Sequence, residues 1–231
     1  MKNKLLESIM REFSWSRPIN TYNKVQVIYS KIIRGNTFQL KKLNKNYWYL
    51  NVGCGESNYP NFLNLDYQWR PHVHICWDIT KGIPLDSNSM KGIFIEHCLE
   101  HITFPQCQDV LKELYRILRT NGTIRVIIPD AELYIELYQK EQNGEIVSFP
   151  YVTEEDIKNG FTPIMAINRI FRKHGHQYAY DARTLITMLR KAGFSSIRKV
   201  NFMEGIDKNL LIDSEFRKVE SLYIEASKVS R

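Results

Sequence analysis

The sequence predicts an α/β fold in which helices cover a mostly parallel β-sheet. From residue 47 onward, short apolar runs rich in β-branched and aromatic residues alternate with turn residues, a pattern typical of strands. An amphipathic helical pattern at residues 106–118 lies between two such runs, and Asn121 and Gly122 close it. Strand, helix, glycine turn and strand form a βαβ unit, which implies parallel strands with helical cover.

Two helices are predicted in a basic N-terminal extension, residues 1–45. An apolar stripe from Leu5 to Phe13 gives the first, which ends before Pro18, and the second runs from about Tyr22 to Gly35. The extension holds ten Lys or Arg and two Glu, a net charge of +8, whereas the whole chain carries +7. The favoured interpretation of this charge is a solvated helical face. The alternatives are that these helices cover the shortened half of the sheet, pair in a homodimer, or bind an anionic substrate or membrane surface.

The remaining elements lie in residues 46–231, which we expect to form one domain. Asp181 is a suitable N-cap for a helix that ends at Gly193. Residues 131–177 interrupt the strand–helix rhythm with helical pieces at 131–140 and 163–172, and we expect a helical insertion or lid over the substrate site. The predicted strands are residues 47–52, 62–66, 73–77, 92–96, 123–128, 196–201 and 221–227.

The composition excludes several classes of protein. With 231 residues, 43% of them hydrophobic, the chain can bury one sizeable core, and 11 Gly with 8 Pro exclude collagen-like sequence. Four cysteines are too few for a disulfide framework. No apolar stretch approaches the roughly 18 residues of a membrane helix, and the N-terminus lacks a signal-peptide core, so we expect a cytoplasmic location.

A glycine-rich turn follows the first strand of the sheet. Gly53 and Gly55 flank Cys54 directly after the apolar run, where the absence of a Cβ allows a sharp turn close to a ligand. Asp66 ends the next strand, where a carboxylate can accept both hydroxyls of a ribose. Asp78 follows the third strand at the same carboxyl edge, which is where ligands bind in open α/β sheets.

These motifs resemble class I S-adenosylmethionine-dependent methyltransferases. The segment Asn51–Gly55 is similar to the first motif of that family, and Asp66 to its ribose-binding acid. "VLKELYRILRTNGTIRVIIPD" is similar to the family's core helix and fifth strand, and "HQYAYDARTLITMLRKAGF" resembles small bacterial members linked to glycan or secondary-metabolite modification. The resemblance implies a Rossmann-like, doubly wound, seven-stranded sheet whose last strand is antiparallel.

The same resemblance implies a cofactor site for S-adenosylmethionine, with S-adenosylhomocysteine as the product. Glu96 and His97 fall where the family borders the methionine end of the cofactor, and Asp78 falls where it contacts the adenine. The residues expected to bind the cofactor are Asn51, Gly53, Cys54, Gly55, Asp66, Tyr67, Asp78, Ile79, Glu96 and His97.

Two departures from the family pattern stand in this segment. Asn51 replaces the usual acid at the start of the first motif, and it can offer a cofactor ammonium only an amide oxygen. Gly53 and Asp66 are only 13 positions apart, although a parallel crossover takes about a dozen residues or more and the dinucleotide pattern about 20. We therefore expect vestigial helices in the first half of the sheet, with the N-terminal helices covering the vacated face.

Methyl transfer requires alignment of donor and acceptor and, for a hydroxyl acceptor, removal of a proton. We expect a hydroxyl of a small molecule or glycan as the acceptor, in preference to an amine. His176 is the first candidate for the base and His97 the second; the remaining candidates are His101, His174 and Asp130.

Three local clusters of histidine and cysteine raise the question of a metal. They are His72, His74 and Cys76; His97, Cys98 and His101; and His174 with His176. The first set alternates with apolar residues on a strand, and the four cysteines form no C-x-x-C pair, so packing is the favoured interpretation and no metal is expected.

Two other functions stay open. The basic extension is compatible with an RNA methyltransferase, because Lys and Arg neutralise phosphates, although no RNA-binding motif is present and "EHCL" replaces the base-target signature after strand four. The shortened crossover and Asn51 are compatible with a catalytically silent protein that keeps the fold for binding.

Overall fold

The computed structural model describes residues 21–35 and 47–229. Seven strands form one sheet in the order β3-β2-β1-β4-β5-β7-β6. Strand β7 pairs antiparallel with β5 and β6, and the other pairs are parallel, which confirms the predicted sheet. The strands are β1 Tyr49–Val52, β2 Phe62–Asp66, β3 Ile75–Cys76, β4 Met90–Glu96, β5 Leu118–Pro129, β6 Ser195–Val200 and β7 Ser221–Ser227.

Six α-helices occur in the described residues. The second predicted helix is present as α1, and the first, on the stripe from Leu5 to Phe13, lies outside the described residues. The helices are α1 Thr21–Arg34, α2 Phe104–Ile117, α3 Ala131–Gln142, α4 Glu154–Lys158, α5 Pro163–Arg172 and α6 Ala182–Ala192. No helix in this part of the chain is long and apolar enough to cross a membrane.

Local chemistry sets the ends of the helices. A capping box formed by Thr103 and Gln106 begins α2, and the Asp181 carboxylate accepts from the Thr184 amide at the start of α6. Gly193, with φ of 108°, ends α6 in the left-handed conformation that favours glycine. The predicted caps of α6 are therefore those that the structure shows.

One predicted boundary is wrong. Asn121 and Gly122 do not close a helix, because α2 ends at Ile117 and the chain passes directly into β5. A Cβ on Gly122 would lie 2.7 Å from the Lys91 carbonyl oxygen. A glycine at this position therefore allows β5 to pack closely against β4. The long strand is possible because Leu118 already pairs with Met90 ahead of a bulge.

Helices α2 and α6 cover one face of the second half of the sheet. The apolar side of α2 is fully buried against β4 and β5, and α6 packs beside it. The buried residues of α2 are Cys107, Val110, Leu111, Leu114 and Ile117.

The first half of the sheet has no crossover α-helices. Residues 53–61 join β1 to β2 and residues 67–74 join β2 to β3 through turns alone, which confirms the predicted shortening. Helix α1 packs at this place instead. The Ser30 hydroxyl accepts a 2.8 Å hydrogen bond from the Trp69 amide, and Ile33 packs against Cys54, Val73 and Cys76.

Candidate functional site

The glycine turn lies where β1 ends, between β2 and β4. The amides of Gly53 and Cys54 donate to the Leu65 carbonyl at 2.8 and 3.1 Å. A Cβ on Gly53, whose φ is +68°, would lie 2.6 Å from Cys98 Sγ. Gly55 has a φ of +53°, and a Cβ there would meet no atom of the described residues within 4 Å. The turn is therefore tight on one side and faces open space on the other.

The Asp66 carboxylate is bonded directly to this turn. Its Oδ2 accepts from the Gly55 amide and its Oδ1 from the Gln68 amide, both at 2.7 Å. The Arg70 guanidinium lies 3.6 Å from Oδ1. Because an ionised carboxylate has about four acceptor positions, Asp66 can still accept hydroxyl groups from a ligand beside Gly55.

Tyr67 continues the same edge towards α1. The residue is 41% exposed. The Arg34 guanidinium lies 3.7 Å from the centroid of its ring and also donates to the Tyr67 carbonyl. The predicted cofactor edge and α1 are thus in direct contact.

Asp78 and Ile79 form a short turn after β3. The Asp78 Oδ1 accepts from the backbone amide and the hydroxyl of Thr80, at 3.1 and 2.6 Å. Ile79 is buried against the main core. In this arrangement Asp78 caps the 3-10 turn Ile79–Lys81.

Asn51 and Glu96 are engaged with the protein itself. The Asn51 amide is buried and donates to Asn64 Oδ1 at 3.4 Å. Glu96 Oε1 accepts from the Ser214 amide at 2.9 Å, and burial raises the pKa of its carboxyl. Glu96 therefore ties the end of β4 to the long loop between β6 and β7.

His97 begins a buried cluster directly after β4. Its φ of +47° is left-handed, and its Nε2 lies 2.8 Å from the Ser221 hydroxyl. Burial, with the nearby Arg217 charge, lowers the pKa of His97 to about 2, and burial lowers the pKa of His101 to about 3. Both rings are therefore neutral at pH 7.

Glu100 lies at the centre of this cluster. Its side chain is 2% exposed, and neither carboxylate oxygen has a hydrogen-bond partner within the described part of the chain. The nearest imidazole nitrogens are His97 Nδ1 at 3.5 Å and His101 Nε2 at 4.0 Å from Oε1. Burial raises the pKa of Glu100 to about 8.

The insertion at residues 131–177 brings His176 to the cluster around Glu100. The Gln177 amide donates to the Glu100 carbonyl at 2.7 Å, and the rings of His101 and His176 pack edge to face with centroids 4.9 Å apart. His174 is exposed, and its ring lies 6.1 Å from that of His176. Histidines from two separate sequence clusters thus meet around Glu100.

The other predicted residues have structural contacts. Asp130 caps α3, and Lys199 Nζ lies 3.8 Å from its Oδ2. His72 bonds the Gly55 carbonyl at 3.0 Å, and His74 accepts from the Asn64 amide at 2.9 Å. These histidines do not form a group of possible metal ligands; in the described residues that group is Glu100, His101 and His176.

Sequence reasoning missed a buried ion network beside the site. Arg125 of β5 is 0% exposed; its Nε donates to Asp213 at 2.6 Å and its Nη1 to Glu225 at 3.2 Å. It also donates to the carbonyl oxygens of Asn201 and Glu204. This network holds the loop between β6 and β7, which carries Ser214, against the sheet. The only sequence signal is an arginine within the apolar run of β5.

Residues 58–126 match the family model described as a methyltransferase domain. No curated protein sequence matches the chain.

Several solved structures are similar at low sequence identity. A methyltransferase of Thermotoga maritima, a possible histamine N-methyltransferase, is 17% identical, with 95% of this chain and 99% of that chain covered and a TM-score of 0.49. A methyltransferase of Mesorhizobium loti is 13% identical over 82% and 95% of the two chains, with a TM-score of 0.45. A phosphoethanolamine N-methyltransferase of Haemonchus contortus, in complex with S-adenosyl-L-methionine, is 11% identical over 95% and 60%, with a TM-score of 0.48.

Proposed function

Residues 58–126 match a methyltransferase domain, and the sheet has the predicted strand arrangement; we propose that the chain transfers a methyl group from S-adenosylmethionine to a hydroxyl of a small molecule or glycan. The observation that carries the proposal is the bond between the Gly55 amide and Asp66, which joins the glycine turn to the acid at the carboxyl edge. Ligands of open α/β sheets bind at that edge.

The residues at this edge fit the cofactor. Gly55 faces open space, so its backbone can approach a ligand closely. Asp66 keeps acceptor positions for the two ribose hydroxyls, and the exposed Tyr67 ring lies next to it for contact with the adenine. The Asn51 amide nitrogen is bonded to Asn64, and we assign its amide oxygen the contact with the cofactor ammonium group.

The acceptor end lies at the buried cluster after β4. The bound sulfonium supplies an electrophilic methyl group, so the protein must orient the acceptor and provide for its proton. The predicted bases His176 and His97 both lie in this cluster, and they remain predictions. Residues 131–177 contribute His176, and Gln177 directly after it bonds the Glu100 carbonyl; we propose that they act as a lid over this end.

Calorimetry with S-adenosylmethionine and S-adenosylhomocysteine tests the cofactor site. We expect the wild-type chain to bind both, and Asp66→Ala and Gly55→Ala to weaken binding by about tenfold or more, because a lost hydrogen bond to a ligand or a filled space costs on the order of 1–3 kcal/mol. Labelled S-adenosylmethionine then identifies acceptors among hydroxylated small molecules and glycans.

Gly144→Ala is the matched control for the glycine variant. Gly144 also has a positive φ, +83°, and a Cβ there would also meet nothing within 4 Å. Backbone strain is therefore at least as great in the control, and we expect its cofactor affinity to equal that of wild type. Equal affinities for wild type and Gly55→Ala, or no binding by wild type, would contradict the proposed site.

A further inference from the structure

We propose that Glu100, His101 and His176 bind one divalent transition-metal ion, with Zn²⁺ as the expected occupant. The site follows from the positions of these side chains, and only its role in the reaction rests on the proposed function. No single stretch of the sequence contains this set, because His176 lies far along the chain from Glu100 and His101.

The three side chains already surround a common point. One possible ligand atom from each lies within 4.8 Å of the others. Zinc bonds of about 2.0–2.2 Å in tetrahedral geometry place ligand atoms roughly 3.3–3.6 Å apart, so modest side-chain rotations would close the set. Two imidazoles and one carboxylate are also the donors of one type of catalytic zinc site, which keeps a further position for water or substrate.

The buried Glu100 carboxylate supplies an independent reason for a cation. It has no hydrogen-bond partner in the described residues, and its nearest imidazole nitrogen, at 3.5 Å, is beyond the usual range of such bonds. Burying a carboxylate without compensation is costly. A metal ion could be bound by both carboxylate oxygens. Alternatively, one oxygen would bind the ion and the other would accept a hydrogen bond from a metal-bound water.

Backbone contacts hold the histidines as they hold metal-binding histidines elsewhere. His176 Nδ1 lies 2.6 Å from the Ile170 carbonyl oxygen, which leaves its Nε2 to bind a metal. His101 is also in contact with the backbone of His174. Ligating histidines usually donate their second ring N–H to a carbonyl or carboxylate, which fixes the ring orientation.

The surrounding charges also favour a cation. Glu96 and Glu220 both act electrostatically on Glu100, and Arg217 is the cation that opposes them. Glu220 also accepts from the Tyr134 hydroxyl at 2.6 Å, so it is fixed near the cluster. The carboxyl groups around Glu100 thus outnumber the guanidinium, an arrangement that would attract a cation.

The cluster lies directly after β4, where we propose that the acceptor binds, and this position suggests a role for the metal in activating the acceptor hydroxyl. An ion after β4 would bind the oxygen of the acceptor hydroxyl and lower its pKa. The acceptor oxygen then forms its bond to the methyl carbon while the carbon–sulfur bond breaks with its electron pair on sulfur, and the hydroxyl proton passes to water. His176 is then a ligand, and no separate base is needed.

Zinc titration of metal-depleted, tag-free protein tests the site. ZnCl₂ is added in competition with a chromophoric chelator, and we expect one Zn²⁺ per chain. Glu100→Gln and His176→Gln should each weaken binding by about tenfold or more, as changes around metal ligands do. His174→Asn is the matched control, because this exposed histidine lies on the same loop and Asn tolerates its φ of 61°.

Two results would overturn the inference: no stoichiometric zinc in wild type, or equal zinc affinity in wild type and Glu100→Gln. Circular dichroism of each variant separates ligand loss from unfolding. Calorimetry with S-adenosylmethionine on the same samples separates the two proposals. Zinc binding without cofactor binding would leave the metal site standing and remove the proposed function, whereas cofactor binding without zinc would do the reverse.

Discussion

The two halves of the sheet are stabilised by different means. Beside β4 and β5, helices α2 and α6 follow the usual pattern of crossover helices that bury a continuous apolar face. Beside β2 and β3 the connections are turns, and α1, from earlier in the chain, packs there through Ser30 and Ile33. Strands β1 and β2 pair directly, Asn51 with Asn64, and no helix lies in the connection between them. In the first half of the sheet, the alignment of the residues at the carboxyl edge therefore depends on the pairing of the strands and not on crossover helices.

The ion network in the second half should give the largest loss of stability. Arg125→Met leaves Asp213 and Glu225 buried without their common cation, and breaking such a network costs about 3–5 kcal/mol. Urea unfolding measures the difference in the free energy of unfolding. Arg198→Ala is the control: Arg198 bonds the same Glu225 but is 46% exposed, so we expect a loss of about 1 kcal/mol or less. Similar losses in both variants would show that burial is not the cause.

A pair of alanine substitutions compares the two kinds of cover directly. Leu111 of α2 is fully buried, so Leu111→Ala should cost about 2–5 kcal/mol. Ile33 of α1 is only partly buried, and we expect Ile33→Ala to cost about half as much or less. Both variants are measured by urea unfolding. An equal or larger loss for Ile33→Ala would mean that α1 stabilises the first half as strongly as α2 stabilises the second.

A smaller, pH-dependent effect belongs to the contact between α2 and the loop after β3. The Arg116 hydrogen bond holds the pKa of Glu113 below its usual 4.5, and Glu113 also accepts from the Ile83 amide at 2.9 Å. Its stabilisation is therefore present above about pH 4.5 and lost as the pH falls through the lowered value.

Urea unfolding between pH 3 and 7 measures this contribution. Glu113→Gln should reduce the fall in stability at acid pH. Asp109→Asn, on the same helix, removes an exposed pair with Lys112 and should leave the fall unchanged. The interpretation fails if the two variants behave alike.

The sequence by itself determined the order and nature of the elements, because hydrophobic periodicity, caps and glycine turns are local signals. Strands β2 and β7 have the predicted bounds, and the spacing of Gly53 and Asp66 correctly required a shortened crossover. The cofactor residues were named from a motif, and their role stays a prediction.

Only the tertiary structure decided which distant residues meet. Glu100 and His176 are far apart in sequence and belong to different elements, and no local pattern indicates that the Gln177 amide will bond the Glu100 carbonyl. In the sequence, Arg125 only interrupts an apolar strand. In the fold, Asp213 and Glu225 surround it and accept its hydrogen bonds. Buried polar groups need partners, and those partners come from segments whose approach depends on the packing of the whole sheet.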